Sequence, residues 1–148
     1  MPIIGIDHIQ LALPAGREQA ARDFYARLLG LREVSKPPGL APRGGVWFEG
    51  DHVKIHLGVD PEFRPARKAH PGLLVSSLEE MVRRFAKAGV DVIADERLPG
   101  YDRVYVHDPF GNRLELLEPH RRAPSPDSTT THPATRRAPR RGGKDTTP

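Results

Sequence analysis

The chain of 148 residues has room for one domain of ordinary size and a tail. Its net charge of +4 is unevenly placed: residues from Pro119 onward carry +5, so residues 1–118 hold −1 and the basic character belongs to the tail. The absence of cysteine excludes disulfides and thiolate metal ligands and accords with a reducing cytoplasm, the expected location.

The N-terminus, MPIIGIDHIQLALP, has no basic leader, and Asp7, His8 and Gln10 interrupt its apolar run. No apolar stretch is long enough to span a bilayer, so no membrane partner is expected. Residues 3–13 alternate as a strand, with Ile9, Leu11 and Leu13 on one face and His8, Gln10 and Ala12 on the other. Pro14 and Gly16 break it. The segment REQAARDFYARLLG then places Ala20, Ala21, Phe24, Tyr25, Leu28 and Leu29 on one helical stripe, with Gly30 as its stop. LREVSK, the turn-rich PPGLAPRGG, and the strands VWFEG and HVKIHLGV follow, the last two forming a predicted hairpin across a Gly-Asp turn.

The second half repeats that order. HPGLLV reads as a strand, and Ser76 or Ser77 caps the helix LEEMVRRFAKAG, which buries Leu78, Met81, Val82, Phe85 and Ala86 and stops at Gly89. VDVIADE, RVYVHD and NRLELLE supply three more strands, the last two joined by the turn PFGN. The interval from Gly30 to His56 is 26 positions, and so is that from Gly89 to Glu115. His8 precedes Gly30 by 22 and His70 precedes Gly89 by 19. His8 therefore falls on His70, and His56 on Glu115. This predicts an α+β fold of two tandem βαβββ modules, about 3–60 and 68–118, each curling a cupped sheet with its helix outside. Residues 119–148, rich in Pro, Arg, Thr and Gly and without a large apolar side chain, read as a disordered basic tail. Its arginine pairs have no interleaved aromatic residue, which argues against a nucleic acid partner.

Strand parity turns His8, His56 and Glu115 into the cups, while Leu114 and Leu116 meet the second helix. Taken singly these residues have ordinary roles: His8 or His70 as a hydrogen-bonded strand histidine, His56 as a solvated position beside Lys54, Glu115 as a partner of Arg113 or Arg103. At repeat-equivalent positions they form a candidate metal set. Neutral imidazoles with one carboxylate suit divalent Fe, Mn, Co, Ni or Zn, and two histidines with one carboxylate leave positions open for a substrate oxygen.

The motifs IDHIQLAL, FYARLLGL, HPGLLVSSLEEMVRRFAKAGV and DPFGNRLELLEP resemble those of the vicinal oxygen chelate superfamily, which holds glyoxalase I, extradiol dioxygenases and bleomycin-binding proteins. The resemblance spans residues 5–119 and implies that His8, His70 and Glu115 bind metal. His56 occupies the place of the fourth ligand of glyoxalase-type members; ligand or general base are both open to it. Pro71 and Gly72 depart from the bulkier apolar pair frequent at that point. The implied function is a small divalent-metal-dependent enzyme of isomerase, lyase or transferase type, holding a small-molecule substrate through its oxygens. Alternatives are a non-catalytic antibiotic-type binding protein or a single-domain ring-cleaving dioxygenase. Trp47, Arg103 and Tyr105 are candidate substrate-side groups, and the resemblance also implies a homodimer.

Overall fold

The computed structural model describes residues 2–120. Two four-stranded mixed sheets are each built by one βαβββ unit. In the first, β1 (Ile9–Leu13) runs through a helix into β2 (Arg32–Val34), β3 (Val46–Glu49) and β4 (Lys54–Val59), in the order β1-β4-β3-β2. The second unit, β5 (Gly72–Leu74), α2 (Leu78–Ala88), β6 (Ile93–Ala94), β7 (Tyr101–His107) and β8 (Arg113–Pro119), has the order β5-β8-β7-β6. The outer pairs β1–β4 and β5–β8 are parallel, and the remaining pairs antiparallel. Gln10 sits opposite His56 in one sheet and Gly72 opposite Glu115 in the other, so the register reproduces the sequence repeat.

The helices follow their sequence signals, with two differences. In the first module a single turn, α1 (Glu18–Ala21), widens into a π-helical segment, Arg22–Leu28, where Leu29 N donates to Phe24 O at 2.9 Å. The wider turn puts Phe24 and Tyr25 side by side in the core. In α2, Ser77 Oγ accepts from Glu80 N at 3.2 Å and Gly89 takes φ of 70° to end the helix. Phe85 is wholly buried, Leu78, Met81 and Val82 are half-buried, and Ala86, expected inside, is exposed because a single narrow line of α2 meets the core.

Both helices and the apolar faces of both sheets share one core. Leu13, Val46, Phe48, Ile55 and Leu57 line it from the first sheet, Val106, Leu114 and Leu116 from the second, and Phe24 and Phe85 stack between them with ring centroids 6.3 Å apart. A buried polar joint ties the modules. Tyr25 Oη donates to Asp108 Oδ2 at 2.8 Å, and Asn112 Nδ2 donates to that same oxygen and to Ala12 O, each at 2.8 Å. The other oxygen, Asp108 Oδ1, accepts from the backbone N–H of Phe110 and of Asn112. Every buried side-chain polar atom in the described residues has a partner. Burial, then the negative charge of Asp108, holds the Tyr25 hydroxyl well above its ordinary range.

The ends differ from expectation. The first strand begins at Ile9 rather than residue 3, because β4, its hydrogen-bonding neighbour, begins at Lys54, opposite position 8. Ile3, Ile4 and Ile6 are consequently left exposed, at 84%, 101% and 85%. At the other end β8 pairs to Pro119, opposite Tyr101, and His120 N donates to Gly100 O. The remainder of the predicted tail lies outside the described residues. Among those described, no helix is long and apolar enough to cross a membrane.

Candidate functional site

Because the apolar faces of both sheets point into the common core, their polar faces look away from it, and each carries half of the predicted ligand set. On the first sheet, His56 in β4 is only 7% exposed, although it belongs to the polar face. Two rings cover it. The Trp47 indole from β3 stacks on one side, with centroids 3.9 Å apart and planes 4° from parallel, and His8 stacks on it at 4.3 Å. The Trp47 pairing is a direct cross-strand one, Trp47 lying opposite His56 in the ladder. Burial first, then the neighbouring His8, lowers the His56 pKa below its ordinary 6.5, which favours the neutral ring. His8 lies one residue before β1, with Nδ1 held by Asp7 Oδ1 at 2.9 Å. The other Asp7 oxygen takes Lys54 Nζ at 3.0 Å. The His8 and Lys54 hydrogen bonds keep the Asp7 carboxyl below its ordinary range. With Nδ1 committed to the carboxylate, Nε2 is the free nitrogen of His8.

On the second sheet, His70 comes up from the segment before β5 and meets Glu115 in β8. His70 Nδ1 lies 2.8 Å from Lys68 O; a carbonyl only accepts, so Nδ1 carries the hydrogen. In the neutral ring the Nε2 lone pair is thereby turned toward Glu115 Oε2, 3.5 Å away. The other carboxylate oxygen, Oε1, accepts from Arg103 Nη1 at 2.7 Å. Arg103 also donates to Tyr105 Oη, to Glu96 O and to Asp95 Oδ2. Burial pushes the Glu115 pKa up, but the hydrogen bonds from Arg103 and Tyr105 and the charge of Arg103 outweigh it, and the carboxyl lies below its usual 4.5. The Tyr105 ring is capped by Arg113, whose guanidinium carbon is 3.7 Å from the centroid, and meets the His70 ring edge-on at 5.2 Å.

The structure thus brings His8 together with His56 and Trp47, and His70 together with Glu115, Arg103 and Tyr105. Among the described residues no group of three histidine or carboxylate side chains in one chain comes close enough to hold a metal ion. His52 is exposed in its turn, and His107 lines a small cleft with Phe24, Gly89 and Pro109. Sequence reasoning missed the fixing partners: Asp7 on His8, the Lys68 carbonyl on His70, and Asp95 with the Glu96 carbonyl on Arg103. Asp7 was visible as the neighbour of His8; the other contacts depend on loops that carry no pattern.

A groove of about 710 Å³ separates the two sheets where they diverge, lined by Ile6, Leu31 and Val53 on one side and Leu73, Leu74 and Met81 on the other. Beside it β5 is an edge strand, paired only with β8, and Leu74 is 70% exposed.

Comparison with known proteins places these features in a wider group. The model of the Glyoxalase/Bleomycin resistance protein/Dioxygenase superfamily matches residues 5–116. A glyoxalase-family protein from Bacillus anthracis superposes with a TM-score of 0.76 at 45% identity, covering 79% of this chain and 96% of that one. Lactoylglutathione lyase from Agrobacterium tumefaciens superposes at 0.59 with 27% identity, over 80% and 96%. An antibiotic-binding protein from Streptomyces sp. CB03234 shares the fold at 0.58 and 21% identity, over 79% and 99%. A search of curated proteins finds no match.

Proposed function

Because the chain belongs to the Glyoxalase/Bleomycin resistance protein/Dioxygenase superfamily, we propose that it is a small divalent-metal-dependent enzyme of glyoxalase type acting on a small molecule held through its oxygens. The observation that carries this reading is the His70–Glu115 pair. Two acceptor atoms, a lone-pair nitrogen of fixed tautomer and a carboxylate oxygen, face each other at 3.5 Å, an arrangement that favours a cation between them. The donor set fits a divalent first-row metal: His70, Glu115 and His8 as ligands, with His56 as a fourth ligand or as general base. Such a metal supplies Lewis acidity to a bound substrate oxygen. The chain's own contribution is positional. Asp7 and the Lys68 carbonyl orient the two imidazoles, neutral His56 is able to accept a proton, and Trp47 walls one side of the cup.

The two half-sets lie on sheet faces that look away from a shared core, so we assign the complete site to a homodimer, His8 and His56 of one copy meeting His70 and Glu115 of another. The exposed Ile3 and Ile4 and the open apolar groove beside β5 support this, since one copy's arm and another's groove are complementary in chemistry.

The test is metal content of protein reconstituted with Zn²⁺, Mn²⁺ or Ni²⁺, together with sedimentation equilibrium. The expected result is a species of twice the chain mass with about one metal per chain, lost in His8→Ala, His70→Ala and Glu115→Ala. Wild-type protein that takes up none of these ions refutes the enzyme reading. The stacked Trp47–His56–His8 face favours a second reading, a binding protein for a flat molecule. Quenching of Trp47, the chain's single tryptophan, by aromatic ligands in metal-free protein would support that alternative.

A further inference from the structure

We propose that Arg103 is a positioning residue that confines Glu115 to one-oxygen ligation, through Oε2; this rests on the metal reading above. Carboxylates bind divalent ions through one oxygen or both, and the choice sets how many positions are left for substrate. Here the two oxygens of Glu115 stand in different surroundings. Oε1 accepts a charge-assisted hydrogen bond from Arg103 Nη1 at 2.7 Å. The guanidinium is not free to withdraw. Its Nε donates to Glu96 O at 3.0 Å, its Nη1 also to Tyr105 Oη at 2.9 Å, and its Nη2 to Asp95 Oδ2 at 3.3 Å. It lies 5.5 Å from the centroid of the Tyr105 ring, and its side chain is only 17% exposed. Contacts from a loop, from β7 and from β8 therefore fix one arginine against one carboxylate oxygen.

Oε2 is treated in the opposite way. It faces His70 Nε2 at 3.5 Å, and the residue directly across the ladder is Gly72. A Cβ at position 72 would stand 3.5 Å from Oε2 and 3.2 Å from Leu117 Cδ1. With glycine at this position no side chain stands beside Oε2 on that face of the ladder. With Oε1 held by Arg103, the set His70 Nε2 and Glu115 Oε2 offers one donor atom per side chain and leaves a coordination position that a chelating carboxylate would fill. Tyr105, hydrogen-bonded to the same guanidinium, belongs to this clamp.

The experiment is infrared difference spectroscopy of the full-length protein, metal-loaded minus metal-free, using Zn²⁺ alone. Glu115→Gln assigns the carboxylate bands by abolishing them. In wild type the asymmetric and symmetric stretches of Glu115 should lie further apart on metal binding than in the free carboxylate, the signature of one-oxygen ligation. In Arg103→Met they should move closer together than in the free carboxylate, as both oxygens engage, and Arg103→Lys should restore the wide separation at least in part. A purely structural role for Arg103 would shift the melting temperature and leave the bands in place. Close-spaced bands in wild type, or identical bands in wild type and Arg103→Met, overturn the proposal, and the wild-type spectrum decides even if Arg103→Met fails to fold. Absence of Zn²⁺ uptake by wild type instead overturns the metal reading itself.

Discussion

Replacing Asp108 by alanine tests the joint that holds the two modules together. The carboxylate accepts four hydrogen bonds, from Tyr25 Oη, Asn112 Nδ2 and the backbone N–H groups of Phe110 and Asn112. Removing it opens a small space that water can enter from the turn, where the two backbone donors can be re-solvated. The Tyr25 hydroxyl is different, because Tyr25 is 0% exposed and sits between Phe24 and Phe48. A stranded buried donor costs about 1–3 kcal/mol, and the lost charge-assisted bonds add to it. The expected destabilisation is therefore about 3–5 kcal/mol, at the upper end for a single substitution. Tyr25→Phe, which removes one bond and leaves Asp108 three donors, should cost about 1.5–3 kcal/mol. The pair should be strongly non-additive, with a coupling of about 1–3 kcal/mol. Urea unfolding at fixed protein concentration measures all three, since the proposed dimer would make apparent stability concentration-dependent. A cost below about 1 kcal/mol for Asp108→Ala, or additivity within about 0.5 kcal/mol, would show that the network fills space without coupling the modules.

Two further predictions concern the first module. Gly45 has φ of 81° and a Cβ there would collide with Leu57 O, so Gly45→Ala should destabilise by about 2–4 kcal/mol and disturb Trp47 fluorescence, because the strain enters at the start of β3; thermal melting and an emission spectrum check both. Glu18 accepts from Gly45 N at 3.0 Å, and this bond first, with the nearby Arg22 and Lys36, keeps its carboxyl below the ordinary 4.5. A lowered folded-state pKa contributes stability that is fully present above 4.5 and lost as pH falls through the lower value. Glu18→Gln should accordingly flatten the acid limb of a stability–pH curve, and an unchanged limb would remove Glu18 from the account.

The fold was legible because repetition and parity are local signals. Gly30 and Gly89 end helices at equivalent points, and the count of 26 to His56 and to Glu115 reappears as the paired registers Gln10–His56 and Gly72–Glu115. Parity also placed Leu114 and Leu116 in the core and Glu115 on the opposite face. What it could not supply is which polar face meets which. That depends on how the modules pack, and the packing is set by residues with no periodic signature: Tyr25 reaching Asp108 across 83 positions, and Asn112 reaching the Ala12 carbonyl across 100. Once those contacts and the Phe24–Phe85 stack place both helices in a common core, the two cups must open outward, and a four-ligand set read from one sequence divides into two pairs. The same limit applies to Glu115. Its type and spacing marked it as a candidate ligand, but the partition of its two oxygens between Arg103 and His70 comes from Asp95, Glu96 and Lys68, three loop residues whose neighbours in sequence give no hint of it. Sequence repetition therefore marks the candidate donor residues, whereas loop contacts set the hydrogen bonds that each of them makes.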